Sequence, residues 1–434
     1  MSRDRAALVP ALLTLALTPC LCAQAGTLDP TFLAPLGYGT VATSNGGQAR
    51  AVALQADGRI LLGGSDGLSL GRWLVARLLD DGTLDQSFGG GGVVYLTGLV
   101  SYATITELAV DPQGRILATG RDSQFRVARL LGDGSLDPSF GTGGMVTTAI
   151  QYSSQSVALE LVPGATPADY FVVVAGQSAP RNGSNAFTVA RYRADGSLDT
   201  TGFGPRASKR GTATTGYLID DITGNHDQPQ FGALAVAADG KLLVGGNTGA
   251  LSPIDSPFVL ARYTSAGALD TTFGTGGHLL DDFGDTSQQL RGIAIQPDGR
   301  ILASGRRHGA GGFLAPVVAR YLASGSRDTS FGISGQATTG FLADHQPAAG
   351  IALDGAGRIT LATTWTPTGG DTQCSAVRFL ADGTLDLGFG SGGLAELAGT
   401  PTSGEMPLAT LRDGSGRLLA AGSAGSVVFV VRYQ

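Results

Sequence analysis

Seven copies of one motif, Gly-x-Leu-Asp-x-x-Phe, run the length of this chain, with aspartates at Asp29, Asp85, Asp137, Asp199, Asp270, Asp328 and Asp386, spaced 52 to 71 residues apart. A repeat of this length is one supersecondary unit that cannot bury its apolar face alone, so neighbouring units must stack into a continuous array. Two copies vary: Gly202 is inserted before Phe203, and Arg327 stands where the others have leucine. The period makes residues 26–434 one large domain, not two or three ordinary ones.

The interior of each unit reads as strands. A short strand follows the motif, as in Val93-Val94-Tyr95-Leu96, and an apolar strand such as Ala51-Val52-Ala53-Leu54 comes next. Asp57-Gly58 then separates it from Arg59-Ile60-Leu61-Leu62, and the same dipeptide recurs at Asp239-Gly240 and Asp298-Gly299. Asp-Gly between apolar runs predicts a hairpin with a two-residue type I′ turn, in which both central residues take positive φ. The third unit replaces this turn with the segment Pro163 to Asp169. A last strand ends in Ala-Arg-Leu or Ala-Arg-aromatic, as at Ala76-Arg77-Leu78 and Ala190-Arg191-Tyr192. Four antiparallel strands per unit and seven units predict an all-β fold, a seven-bladed β-propeller.

These segments resemble the delta-60 repeat family, bacterial proteins of exported type built from Leu-Asp-x-x-Phe-Gly, Pro-Asp-Gly-Arg-Ile-Leu and Val-Ala-Arg-Leu. The resemblance spans essentially all of residues 26 to 434. It implies a propeller-like repeat fold and no common activity, so it carries over no catalytic residue.

The phase of the chain predicts how the ring closes. The array begins inside a Leu-Asp-x-x-Phe segment and the last unit stops after the strand ending at Tyr433, one strand short of four. Pairing the segment near Tyr38 to Thr43 with that last strand completes the blade and removes two exposed sheet edges.

Residues 1–25 stand apart from the array. Arg3 and Arg5 precede an apolar stretch from Ala6 to Leu17, and Ala23-Gln24-Ala25 supplies a small-residue cleavage site, the pattern of a secretory signal peptide. The expected destination is outside the cytoplasm: secreted, periplasmic or cell-surface. Cys20 raises the alternative of a lipid anchor, for which Leu17-Thr18-Pro19 is a poor match. No segment approaches ~18 uninterrupted apolar residues, so no transmembrane helix is expected. Beyond the signal, Cys374 is the one cysteine, which excludes an internal disulfide; its register matches Trp73, Phe125 and Phe187 and predicts a small core side chain. Net charge is −6 and the basic residues are scattered, so nucleic acid is not an expected partner.

Repeated charges read as structure. The arginines at 77, 129, 191, 262, 320 and 378 each precede the motif aspartate by eight residues, and Arg432 occupies the same place in the last strand. A guanidinium packed between sheets needs a partner, and the recurring aspartate is the obvious one.

Departures from the repeat are the candidates for function. If the strand after the motif is outermost, the Asp-Gly turns share one face and the lengthened loops at 176–187, 205–232, 246–257, 305–316 and 363–374 share the other. On that face lie the candidate ligand-binding residues Asp220, Asp221, His226, Asp227, Asp281, Asp282, Asp285, Arg306, His308, Asp344, His345 and Trp365. Carboxylates with imidazoles could hold a divalent cation or meet a sugar or peptide; the alternative reading is a solvated acidic rim. Arg50, Arg291 and Glu107 fall near the starts of inner strands and are expected at the central channel.

No converging nucleophile and base is recognisable, and no cofactor motif. The expectation is therefore an exported, non-enzymatic binding or scaffold protein for a polysaccharide, peptide or protein. The alternative is a metal-dependent lactonase, lyase or hydrolase on the same fold.

Overall fold

In the computed structural model, the described residues are 25–434 apart from 44, 68–70, 100–102, 151–152, 167–168, 180–185, 205–215, 221–229, 249–256, 285–287, 309–313, 341–344, 348–349, 366–372 and 397–404. Among them every regular element is a strand, and no helix is long and apolar enough to cross a membrane. The strands form seven antiparallel sheets, each one blade. Blade 1 runs outward as Gly47–Leu54, Ile60–Asp66, Trp73–Leu78 and Val93–Leu96, and blades 2 to 5 repeat that order. Blade 6 differs because its inner strand is split into His345–Pro347 and Ala352–Leu353, both paired with Ile359–Trp365.

Blade 7 takes its outer strand from the other end of the chain. Tyr38–Val41 pairs with Val427–Tyr433 in the register Tyr38 with Val431 and Val41 with Val428. Four backbone hydrogen bonds extend the seam, from Gly26 N–H to Gln434 O at 2.7 Å, Asp29 N–H to Arg432 O at 2.9 Å, Gln434 N–H to Thr27 O at 2.8 Å and Arg432 N–H to Gly37 O at 3.0 Å. The ring closes as the phase of the repeat predicts.

The core lies between blades, where the apolar faces of adjacent sheets meet. Val52, Leu62 and Leu74 of blade 1 pack with Leu419, Val428 and Val430 of blade 7, and equivalent clusters fill the other six interfaces. Side chains of alternating strand residues point to opposite neighbours, so every blade contributes to two cores. Cys374 is fully buried in the cluster between blades 6 and 7, in the register expected of it.

Repeated charges bind the frame together. Arg77, Arg129, Arg262, Arg320, Arg378 and Arg432 each donate from Nε to their motif aspartate at 2.7 to 2.8 Å, and Arg191 Nη2 reaches Asp199 at 2.6 Å. Each guanidinium also lies over the phenylalanine of its own motif, 4.3 to 4.8 Å from the ring centroid. Several reach the next blade as well: Arg320 Nη1 donates to Ala381 O at 2.7 Å and Arg191 Nη1 to Ser265 O at 2.5 Å. Each arginine therefore has an ion-pair partner and a ring, and several have a carbonyl as well, which together offset the cost of burial.

The Asp-Gly turns depart from the expected geometry. Gly58 has φ +86°, but Asp57 is not among the residues with positive φ, so the turn is not type I′. Gly58 N–H instead bonds Gln55 O at 3.0 Å and Gln55 N–H bonds Arg59 O at 2.9 Å. This is a three-residue loop, a type I turn closed by a glycine in the left-handed region. The aspartate serves through its side chain, accepting the N–H of Arg59 at 3.1 Å. In blade 3, Ser153–Pro163 and Tyr170–Ala179 make a longer hairpin around the replaced turn.

Candidate functional site

Inner strands line the axis, and among the described residues six of them carry a β-bulge at one register. The extra residues are Arg50, Thr106, Val157, Gly232, Arg291 and Leu408, where pairing skips one position on the inner strand. All six line a cavity of about 440 Å³ at the centre of the ring. A bulge re-aims the side chain it carries, and here it turns the residue toward the axis. The bulge requires the second strand to come close. A Cβ on Gly64, Gly120, Gly176 or Gly305 would lie 1.8 to 2.1 Å from a carbonyl oxygen of the inner strand, which explains a recurring glycine there.

The charged lining is segregated. Arg50 and Arg291 occupy the equivalent bulge positions of blades 1 and 5, and Arg121 lines the same cavity. Arg121 and Arg306 are themselves register equivalents, paired two residues before the bulge in blades 2 and 5. Arg50 Nη2 donates to Gln48 Oε1 at 2.8 Å and Arg291 Nη2 to Gln289 Oε1 at 2.9 Å, so both guanidinia are held from the same side. Burial, and then repulsion from Arg306, Arg121 and Arg50, lowers the Arg291 pKa to about 10. Arg50 is lowered by burial and by Arg121. These arginines are close enough to feel one another across the ring.

Glu107 and Glu160 make up the acidic part. Glu107 lies one residue beyond the bulge of blade 2, and Glu160 three residues beyond that of blade 3. Loss of bulk hydration, followed by the nearby Glu160 charge, pushes Glu107 up to about 8. The same desolvation raises Glu160 to about 7. Glu107 is half-buried and Glu160 opens into the cavity, and the protein around the cavity disfavours the charged forms of both.

The residues singled out on the loop face have several locations. Asp220 and Asp281 end the outer strands of blades 3 and 4. Each accepts a hydrogen bond from a tyrosine of the following blade: Tyr263 Oη to Asp220 Oδ2 at 2.6 Å and Tyr321 Oη to Asp281 Oδ2 at 2.7 Å. Burial and the aspartate charge raise both tyrosine pKa values. His278 Nε2 also lies 2.9 Å from Asp220 Oδ2. Arg327, the residue that departs from leucine in its motif, pairs with Asp281 and lies over the Phe283 ring at 5.1 Å. Two departures from the repeat thus compensate each other.

Asp282 Oδ1 accepts the Gly284 N–H at 2.8 Å and Gln288 Nε2 at 2.9 Å, tying its loop to the next inner strand. Arg306 and His308 lie on Ile301–His308 of blade 5. His345 and Trp365 are register partners in blade 6. Asp221, His226, Asp227, Asp285 and Asp344 lie outside the described residues. Among the described residues, no group of three or more His, Cys, Asp or Glu side chains could hold a metal ion.

Reading the sequence missed Arg121 and Glu160. Arg121 had a signal: it directly follows the recurring glycine, as Gly120-Arg121 and Gly305-Arg306, where other blades have Ser65, Gln177, Asn247 or Ser423. Glu160 stands as a lone charge between Leu159 and Leu161, but whether it faces the axis depends on the ring.

Residues 55–88, 112–140, 172–201, 237–273 and 296–331 match the family described as domain of unknown function (DUF5122) beta-propeller, so these stretches are propeller repeats. Curated proteins include no match to the sequence. Among solved structures, the chain is similar to the WD40 beta propeller domain of Doa1, with 11% identity over 92% of this chain and 97% of that one and a TM-score of 0.48. It is similar also to a gluconolactonase from Xanthomonas campestris, with 15% identity over 93% and 92% and a TM-score of 0.40. A PL25 ulvan lyase aligns over 76% and 78% with 10% identity and a TM-score of 0.45.

Proposed function

We propose that this chain is an exported binding or scaffold protein that takes a polysaccharide, peptide or protein ligand at the variable-loop face and the axial cavity. The observation that supports it is how the charged groups divide. The recurring arginines and aspartates are committed to one another, while the arginines and glutamates of the cavity belong to no repeat pairing. Groups that the frame does not use are the ones available to a ligand. The test is glycan-array and pull-down binding by residues 26–434, compared with a variant whose segments 221–227 and 344–345 are replaced by Gly and Ser. Asp220 must be kept, because it bonds Tyr263 of the next blade. Undiminished binding by the variant would overturn the assignment to the loop face.

A second reading, a hydrolase or lyase, is favoured by the Glu107 and Glu160 pair. Two neighbouring carboxyl groups that titrate near neutrality are suited to general acid and base roles. Screening turnover of lactones and acidic polysaccharides with wild type, Glu107→Gln and Glu160→Gln decides it. Turnover that survives both substitutions would remove these residues from the chemistry.

A further inference from the structure

We propose that Arg50, Arg121 and Arg291 form an oxyanion-binding site on the propeller axis, which receives a carboxylate, phosphate or sulfate group of the ligand. The inference rests on the binding reading above and names the chemistry of what is bound.

Three observations carry it. Firstly, placement sets these groups around one cavity. Arg50 and Arg121 come from adjacent blades 1 and 2, and Arg291 comes from blade 5, three blades away from either in a ring of seven. An anion on the axis can therefore be met from two sides of the ring, and each planar guanidinium fork suits a carboxylate, phosphate or sulfate.

Secondly, the fold treats these arginines unlike the others. Every recurring strand arginine has an aspartate at 2.6 to 2.8 Å. Among the described residues, Arg50, Arg121 and Arg291 pair with no carboxylate, and no carboxylate favours their charge. They repel one another instead. Clustered like charge in a partly dehydrated cavity is an arrangement that a bound anion would relieve.

Thirdly, the side chains are held in place. The bulge fixes the backbone at Arg50 and Arg291, and Gln48 and Gln289 each occupy one guanidinium edge, leaving the remaining N–H donors for a ligand. Glu107 and Glu160 lie further along the inner strands; the Glu160 charge acts on Glu107, and neither glutamate is among the groups acting on the three arginines. The cavity thus has a cationic level and an acidic one.

The experiment is a thermal-shift and calorimetric titration of the full chain with sodium glucuronate, phosphate and sulfate, against sodium chloride at equal ionic strength and against uncharged glucose. Saturable stabilisation by at least one oxyanion above the chloride baseline is expected, and the strongest arm identifies the group. Arg50→Gln with Arg291→Gln should weaken that affinity at least tenfold. Because the double variant removes repulsion, it should melt at or above the wild-type temperature, which separates a lost site from a lost fold. Oxyanion effects no larger than those of chloride, or unchanged in the double variant, overturn the site. If neutral glycans or peptides still bind, the anion site fails while the binding reading stands; if nothing binds, both fail.

Discussion

Arg432 donates from Nε to Oδ2 of Asp29 at 2.7 Å, an ion pair between residues 403 positions apart that closes the ring. Both side chains are almost wholly buried, and the Arg432 guanidinium also covers the Phe32 ring at 4.6 Å. In every other blade the same pair is local, eight residues apart.

Asp29→Ala should therefore destabilise the whole propeller, by about 1–3 kcal/mol, because the buried Nε donor of Arg432 loses its acceptor while Nη1 keeps the Asp80 carboxylate at 2.9 Å. Deleting residues 26–45 should do more, since it removes the outer strand of blade 7 as well. Calorimetric melting checks both; an unchanged melting temperature on deletion would show that the seam carries no stability.

Burial alone would raise the Asp29 pKa, but hydrogen bonds from Thr31 and the Arg432 charge outweigh it and hold the carboxyl at about 2. Its folded value is below the unfolded one of 3.8, so its contribution is present above that pH and lost as pH falls toward 2. Glu107 has the opposite sign. Its folded value of about 8 lies above 4.5, so protonation favours the fold, and stability drains as pH rises from 4.5 through 8. Stability should peak in mildly acidic solution. Glu107→Gln should raise stability at pH 9 by about 1–3 kcal/mol, allowing for relief by cavity water at ~1.4 kcal/mol per unit, and change little at pH 4. Denaturant titrations at the two pH values test the difference.

Gly120→Ala should cost several kcal/mol, since the new Cβ would lie 2.1 Å from Thr104 O at the bulge of blade 2. Gly132→Ala is the control, with nothing within 4 Å of its Cβ and an expected change within ~0.5 kcal/mol. Equal denaturant midpoints for the two variants would contradict the close approach.

Arg327 and Asp281 should behave as a coupled pair. Arg327→Leu restores the motif residue but leaves Asp281 with only the Tyr321 hydroxyl among the donors described above. A double-mutant cycle with Asp281→Asn should give a coupling of about 0.5–3 kcal/mol. Strict additivity would show that the two side chains are not energetically coupled.

The strand order, the blade number and the closing seam were all legible in the sequence. The signals behind them act over a few residues: alternation sets strands, a turn glycine sets hairpins, and the offset between first and last units sets closure. The eight-residue spacing of Arg77 and Asp85 likewise revealed the ion pair, because both ends lie on one hairpin. Local signals misjudged the turn at Asp57-Gly58, where type I with a closing glycine and type I′ use the same dipeptide.

The sequence pointed Arg50, Arg291 and Glu107 to the axis, but only tertiary structure decided which other charges join them there. Asp220 and Asp281 read as loop acids, yet each is bonded to a tyrosine of the following blade. Arg121 and Glu160 went unnoticed, although they line the cavity with Arg50, Arg291 and Glu107. These groups come from four blades, and their mutual influence depends on a separation across the ring that no sequence window contains. A repeat writes its frame seven times over, whereas a site at its centre is written once, in pieces that only closure of the ring brings together.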